Sequence, residues 1–153
     1  MPTTVPDTTL QVVVGIAVDD VGCLLVNQRP TGKDYAGQWE FPGGKIEHGE
    51  SPFEALKREW HEEMGVIVTE ARHLFAFGHR RQVRRIELDV WAVTSFVGHP
   101  RGREGQAIRW ADPAALQALN FLDGNQELLR RLSVNAELTC GQREATRIDL
   151  SRR

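Results

Sequence analysis

Residues 43–66 read "GGKIEHGESPFEALKREWHEEMGV", and Glu59, Glu62 and Glu63 crowd three carboxylates into five of its positions. Ser51, Pro52 and Glu54 mark a helix start: serine as N-cap, proline in the first turn, and a glutamate three residues after the serine to complete a capping box. Gly65 supplies the stop. At about 100° per residue, Phe53, Leu56, Trp60 and Met64 form an apolar stripe roughly 80° wide, and the three glutamates occupy a separate arc roughly 100° wide. Like charges three or four positions apart each cost a helix roughly 0.2–0.5 kcal/mol, and the second half of a helix disfavours anions. The arrangement calls for a compensating cation. Lys57 and Arg58 are expected to point elsewhere on the helix, which leaves a hard divalent ion, magnesium or manganese, taking the carboxylate oxygens directly. Gly43 and Gly44 ahead of the helix let the backbone approach such an ion without a side chain in the way. A merely solvated acidic face is the alternative reading.

Working outward, "QVVVGIAV" (11–18) and "CLLVNQR" (23–29) are β-branched, apolar runs separated by the turn-forming "DDVG", which predicts a hairpin or an adjacent strand pair. "HLFAFGHR" (73–80) and "RIELDVWAVTSF" (85–96) predict two more strands, the second with Ile86, Leu88, Val90 and Ala92 on one face and the partly wet Glu87, Asp89, Trp91 and Val93 on the other. A loop at 98–106 leads to a short strand in "AIRW". Helices are expected from an Asp112 cap and Pro113 to about Leu119, and from Asp123 to Leu132. The predicted class is α/β, a mixed sheet with helices against it. A single domain over 11–132 is expected, preceded by an N-terminal segment (1–10) and followed by a tail (133–153) that is loosely held or disordered.

The chain has 153 residues and a formal net charge of −2, which gives no basis for a non-specific grip on a nucleic acid polymer or a membrane surface. Cys23 and Cys140 follow no metal-ligand spacing and form no disulfide framework. No apolar run approaches the roughly 20 residues that cross a bilayer. A cytoplasmic protein with a small polar partner is expected, as a monomer with a dimer as the alternative.

Gly44, five residues, Glu50, seven residues, Arg58-Glu59, an apolar residue, one more, Glu62-Glu63, one more, Gly65 and an apolar residue together resemble the signature of the Nudix hydrolases, with every fixed position filled. Trp60 stands where an aliphatic residue is usual. "GQWEFPGGKIE" before the helix and "GREGQ" at 102–106 extend the similarity to MutT-like 8-oxo-dGTP diphosphatases over about residues 11–132. The resemblance implies an α/β/α sandwich and magnesium-dependent hydrolysis of a nucleoside triphosphate to the monophosphate and pyrophosphate. It implies metal binding by Glu59, Glu62, Glu63 and the Gly43 carbonyl, with Glu104 as a further carboxylate. Either Glu59 or Glu104 takes the proton of water. Glu50 and Arg58 become a structural pair, and Arg29 and Lys45 become candidates to meet phosphate oxygens.

The same resemblance places Asn125 where MutT-like proteins read the base, with Asn120 as a rival, and Phe41 and Arg84 at base-lining positions. The usual proline-rich lead-in to that asparagine is replaced by Leu122, Asp123 and Gly124. Oxidised guanine, 8-oxo-dGTP, is the expected substrate. The alternatives are a cytidine-type nucleoside triphosphate pyrophosphatase and a Nudix module that binds without turnover.

Overall fold

The computed structural model describes residues 9–134. Most of the expected N-terminal segment, the tail beyond residue 134 and Cys140 therefore lie outside the described residues. In chain order the elements are β1 (Leu10–Ile16), β2 (Leu24–Gln28), β3 (Trp39–Glu40), β4 (Gly43–Lys45), α1 (Pro52–Met64), β5 (Ile67–Arg81), β6 (Arg84–Val97), β7 (Ile108–Ala111), α2 (Pro113–Leu116) and α3 (Asp123–Val134).

One sheet is mixed, in the order β4-β1-β6-β5, with β1 parallel to β6 and the other pairs antiparallel. A second, antiparallel sheet runs β3-β2-β7. The apolar run of β1 is buried on both faces, which is why it reads as continuous rather than alternating. Val14 and Ile16 pack on the side that carries Leu116 and Leu128, whereas Val13 packs with Leu56, Trp60 and Met64 of α1. Strand parity thus divides the core into two layers with helices outside both, the α/β/α arrangement.

The predicted hairpin of β1 and β2 exists only at its turn. Asp19 Oδ1 accepts the backbone N–H groups of Val21 and Cys23, and a single bridge joins Val18 to Leu24. Beyond it β1 is taken by β4 and β6, and β2 by β3 and β7. The two strands therefore belong to different sheets. β5 begins at Ile67 rather than 73, and α2 ends at Leu116 rather than near Leu119. In β6, Ile86, Leu88, Val90 and Ala92 are buried as the alternation predicts, and Val93 is buried too, under α1.

Helix α1 follows its sequence closely. Ser51 and Glu54 form the reciprocal capping box, and Gly65 closes the helix in the left-handed region at φ 73°. Leu56, Trp60 and Met64 are fully buried, each contributing about 1.5–3 kcal/mol of apolar transfer. Trp60, the unusual member of the stripe, donates its indole N–H to the Pro42 carbonyl at 3.0 Å. Its ring is admitted by Gly15, where a Cβ would meet it at 2.6 Å. The tryptophan pins the helix to the residue just before Gly43. Among the described residues no helix is long and apolar enough to cross a membrane.

Candidate active site

A cleft of about 330 Å³ opens where β4, the start of α3 and the acidic side of α1 meet. Of the residues singled out from sequence, Arg29, Phe41, Gly43, Lys45, Glu59, Glu63, Glu104 and Asn125 line it. Glu62 is exposed beside it. Arg84 is not brought to it. Arg84 shares a cross-strand pair with Arg81, but it lies beyond the Leu10–Ile86 pair where β1 joins β6, and its side chain stands in solvent. Arg81 takes the cleft wall instead, with its guanidinium over the Tyr35 ring. Asn120 is exposed and does not line the cleft.

Arg58 corrects a second expectation. It does not point away from the glutamates. Its guanidinium grips Glu50 through Nε at 2.7 Å and Nη2 at 2.9 Å, donates Nη2 to the Lys45 carbonyl, and turns Nη1 to Glu59 at 2.8 Å and Glu62 at 3.4 Å. The bidentate grip ties the loop to the helix and holds the Glu50 carboxyl down to about 2. Among the described residues, no three histidine, cysteine, aspartate or glutamate side chains are gathered as a preformed metal cage.

Other features of the donor set suit a hard cation. Glu63 Oε2 is buried without a hydrogen-bond partner. Burial, then the like charges of Glu40, Glu59 and Glu104, raise the Glu63 carboxyl well above its ordinary range, with a Gly43 backbone hydrogen bond opposing them. Burial also raises Glu59, offset in part by Arg58. Buried, mutually repelling carboxylates with an unsatisfied oxygen are what a divalent ion relieves. Gly44 is cut to the same purpose, since a Cβ there would lie 2.3 Å from the Glu59 carboxyl carbon.

Asn125, in the first turn of α3, is 4% exposed, and its Oδ1 accepts the backbone N–H of Phe41 at 2.8 Å. It is therefore not a helix cap. Phe41 is itself a core residue at 1% exposure, tilted against Phe121, so it serves the core through its ring and Asn125 through its backbone. Arg29 is less free than expected. Its Nε donates to the Asp34 carbonyl and its Nη1 pairs with Glu40 at 3.3 Å.

The sequence reading missed Glu40, Lys33, His79 and Arg81, all of which line the cleft. Burial raises the Glu40 carboxyl, with Arg29 opposing. Phe77, His79 and Arg81 alternate on one face of β5, a period-2 signal that could have found the last two. Glu40 stands between two aromatics ahead of the glycine pair, a misplaced charge if that stretch were only core. Lys33, which reaches Glu104 Oε2 at 3.2 Å from a loop, carries no such signal.

The NUDIX domain model matches residues 9–132, and the chain belongs to the Nudix hydrolase family. Nudix hydrolases generally use divalent metal ions, and membership implies a nucleotide substrate. Among its relatives, an 8-oxo-dGTP diphosphatase of Haemophilus influenzae is 38% identical over 80% of this chain and 90% of the relative. A CTP pyrophosphohydrolase of Escherichia coli is 41% identical over 66% of this chain and 75% of the relative. A solved structure of MutT, from work on the Aliivibrio salmonicida and Vibrio cholerae proteins, superposes with a TM-score of 0.71 at 35% identity, covering 82% of this chain and 97% of that one.

Proposed function

We propose that the protein is a magnesium-dependent nucleoside triphosphate pyrophosphohydrolase whose preferred substrate is 8-oxo-dGTP. The carrying observation is the Asn125 amide. A backbone N–H must face an acceptor, so Phe41 fixes which end of the amide is oxygen. Oδ1 keeps a second lone pair and Nδ2 keeps its two donors. The amide can then give a hydrogen bond to O6 of a purine and accept one from a protonated N7. Guanine carries an acceptor at N7, so its lone pair would face Oδ1, whereas the 8-oxo base carries a proton there. A site built this way discriminates by about 10⁴-fold, because the wrong base leaves a buried polar group unpaired.

Glu59, Glu63, Glu62, Glu104 and the Gly43 carbonyl would hold the magnesium. When bound, the metal neutralises polyphosphate charge and lowers the pKa of coordinated water. The chain's own residues do the rest. Glu59, oriented by Arg58 Nη1, accepts the proton of the attacking water, with Glu104 as the second candidate. Lys33, Lys45 and Arg81 offer positive charge along the cleft to the phosphates. Water adds to phosphorus, the bond to the bridging oxygen breaks, and the nucleoside monophosphate and pyrophosphate leave.

A second reading, a cytidine triphosphate pyrophosphatase, is favoured by the likeness to the Escherichia coli CTP pyrophosphohydrolase. A panel of 8-oxo-dGTP, dGTP, dCTP and CTP with magnesium, compared by kcat/KM, separates the two. The first reading expects 8-oxo-dGTP to lead by orders of magnitude. A lead for either cytidine nucleotide, or for dGTP, overturns it.

A further inference from the structure

Glu104 lies on an exposed loop, and its carboxylate pairs across the cleft mouth with Lys33, both side chains substantially in solvent. An exposed pair of this kind is worth about 0–1 kcal/mol and cannot hold a loop in register. The loop is held from beneath. The last carbonyls of a helix have no partner within it, and those of α1 are taken by this loop. Arg101 N–H donates to the Met64 carbonyl at 3.1 Å, Arg103 N–H to that of Glu63 at 3.0 Å, and Arg103 Nη1 to that of His61 at 2.9 Å.

Gln106 completes the set in a different way. It is 8% exposed, and both ends of its amide are used. Nε2 donates to the Glu63 carbonyl at 3.0 Å, and Oε1 accepts the backbone N–H of Glu104 at 2.9 Å. One buried side chain thus joins the backbones of two cleft acids that come from separate elements. The loop folds tightly enough to bring it there, since a Cβ on Gly102 would meet the Gln106 carbonyl oxygen at 1.9 Å.

We propose that Gln106 is a positioning residue, whose side-chain amide sets the loop acid Glu104 in a fixed frame with Glu63 of α1. It touches neither substrate nor cation. Its effect reaches the site through Glu104, and the proposal rests on Glu104 belonging to the divalent-cation site. A simple helix cap would contribute stability alone. A positioning residue makes the contribution of Glu104 depend on Gln106.

The test is a double-mutant cycle of Gln106→Ala and Glu104→Gln, read by calorimetric titration of Mn²⁺ into the full chain without nucleotide and by hydrogen exchange of the Glu104 amide without metal. Gln106→Ala is expected to speed exchange of the Glu104 amide and to weaken Mn²⁺ binding by about tenfold, as loss of a group that orients a ligand does. Glu104→Gln is expected to weaken Mn²⁺ comparably, and the double variant to be no worse than Glu104→Gln alone. If Gln106→Ala fails to fold, Gln106→Asn keeps an amide in the buried position with one methylene less reach, and the same pattern is expected. A full additional loss in the Glu104→Gln background, or unchanged exchange and affinity in the Gln106 variant, overturns the proposal. Should Glu104→Gln leave Mn²⁺ binding unchanged, Glu104 is not part of the cation site, and the proposal falls with that assignment.

Discussion

Gly44→Ala should separate the site from the fold. A methyl at position 44 would lie 2.3 Å from the Glu59 carboxyl carbon and 2.5 and 2.6 Å from its oxygens. Carbon atoms rest at about 3.5 Å, so the carboxylate must retreat by roughly 1.2 Å. The three nearest atoms all belong to the end of one flexible side chain and position 44 has no left-handed φ, so the strain falls first on the Glu59 carboxylate and its 2.8 Å contact with Arg58. A misplacement of about 1 Å at a reacting group costs about 10²-fold, or about 2.7 kcal/mol of barrier. Gly43→Ala is the control. Its methyl would meet the Val13 carbonyl oxygen at 2.0 Å and Val14 Cα at 2.8 Å, both of them backbone atoms where β4 pairs with β1. Overpacking of that kind costs about 1–3 kcal/mol, which lowers Tm by roughly 3–12 °C in a domain of this size. Pyrophosphate release at saturating nucleotide and magnesium, with thermal unfolding in parallel, measures both. The expected result is a Gly44→Ala protein with kcat lowered about 10²-fold and a Tm within about 2 °C of the parent, and a destabilised Gly43→Ala. A Gly44→Ala protein with parental kcat, or one that loses as much Tm as Gly43→Ala, would show that Gly44 does not set the position of the Glu59 carboxylate.

Because the fold raises the Glu63 carboxyl, it favours the protonated form, so this residue's own contribution to metal-free stability is greatest below the ordinary carboxylate range and is lost as pH rises through the raised value. Glu63→Gln should flatten that fall in Tm measured in chelator, and an unchanged slope would count against it. Glu50 is the opposite case: held at about 2 by Arg58, against an ordinary 4.5, it contributes stability above 4.5 that disappears as pH falls toward 2. The Tm gap between parent and Glu50→Gln should therefore be widest near neutrality and close in acid. Asn125→Ala leaves the buried Phe41 N–H without its acceptor, at about 1–3 kcal/mol, and should reduce the preference for 8-oxo-dGTP over dGTP to within about tenfold. A variant that keeps the full preference would show that another group reads the base.

What sequence revealed and what it hid follow from how local each feature is. The cap, stripe and stop of α1 are set by residues within a few turns of one another, so the roles of Ser51, Trp60 and Gly65 are legible in the chain itself. The separation of β1 from β2 depends on β6, more than sixty residues away, and no local pattern distinguishes a turn between sheets from a turn within one. Helical-wheel geometry places the Cβ of Arg58, but its long side chain bends back to the Glu59 and Glu62 oxygens, which the wheel does not describe. Position 84 matched a family pattern on spacing alone, whereas the cleft wall is decided by where β1 begins to pair with β6. The joint between Glu63 and Glu104 was hidden for a similar reason, because Gln106 connects two segments that are remote in the chain.

Calorimetric titration of Mg²⁺ in the presence of a non-hydrolysable nucleoside triphosphate analogue, for the parent and for Glu59→Gln/Glu63→Gln, asks whether the acidic side of α1 holds a divalent ion. Saturable binding of the cation by the parent, weakened at least about tenfold in the double variant, is the predicted result. Absence of saturable binding in the parent, or equal binding by both proteins, would contradict the assignment of the acidic side of α1 to a divalent ion.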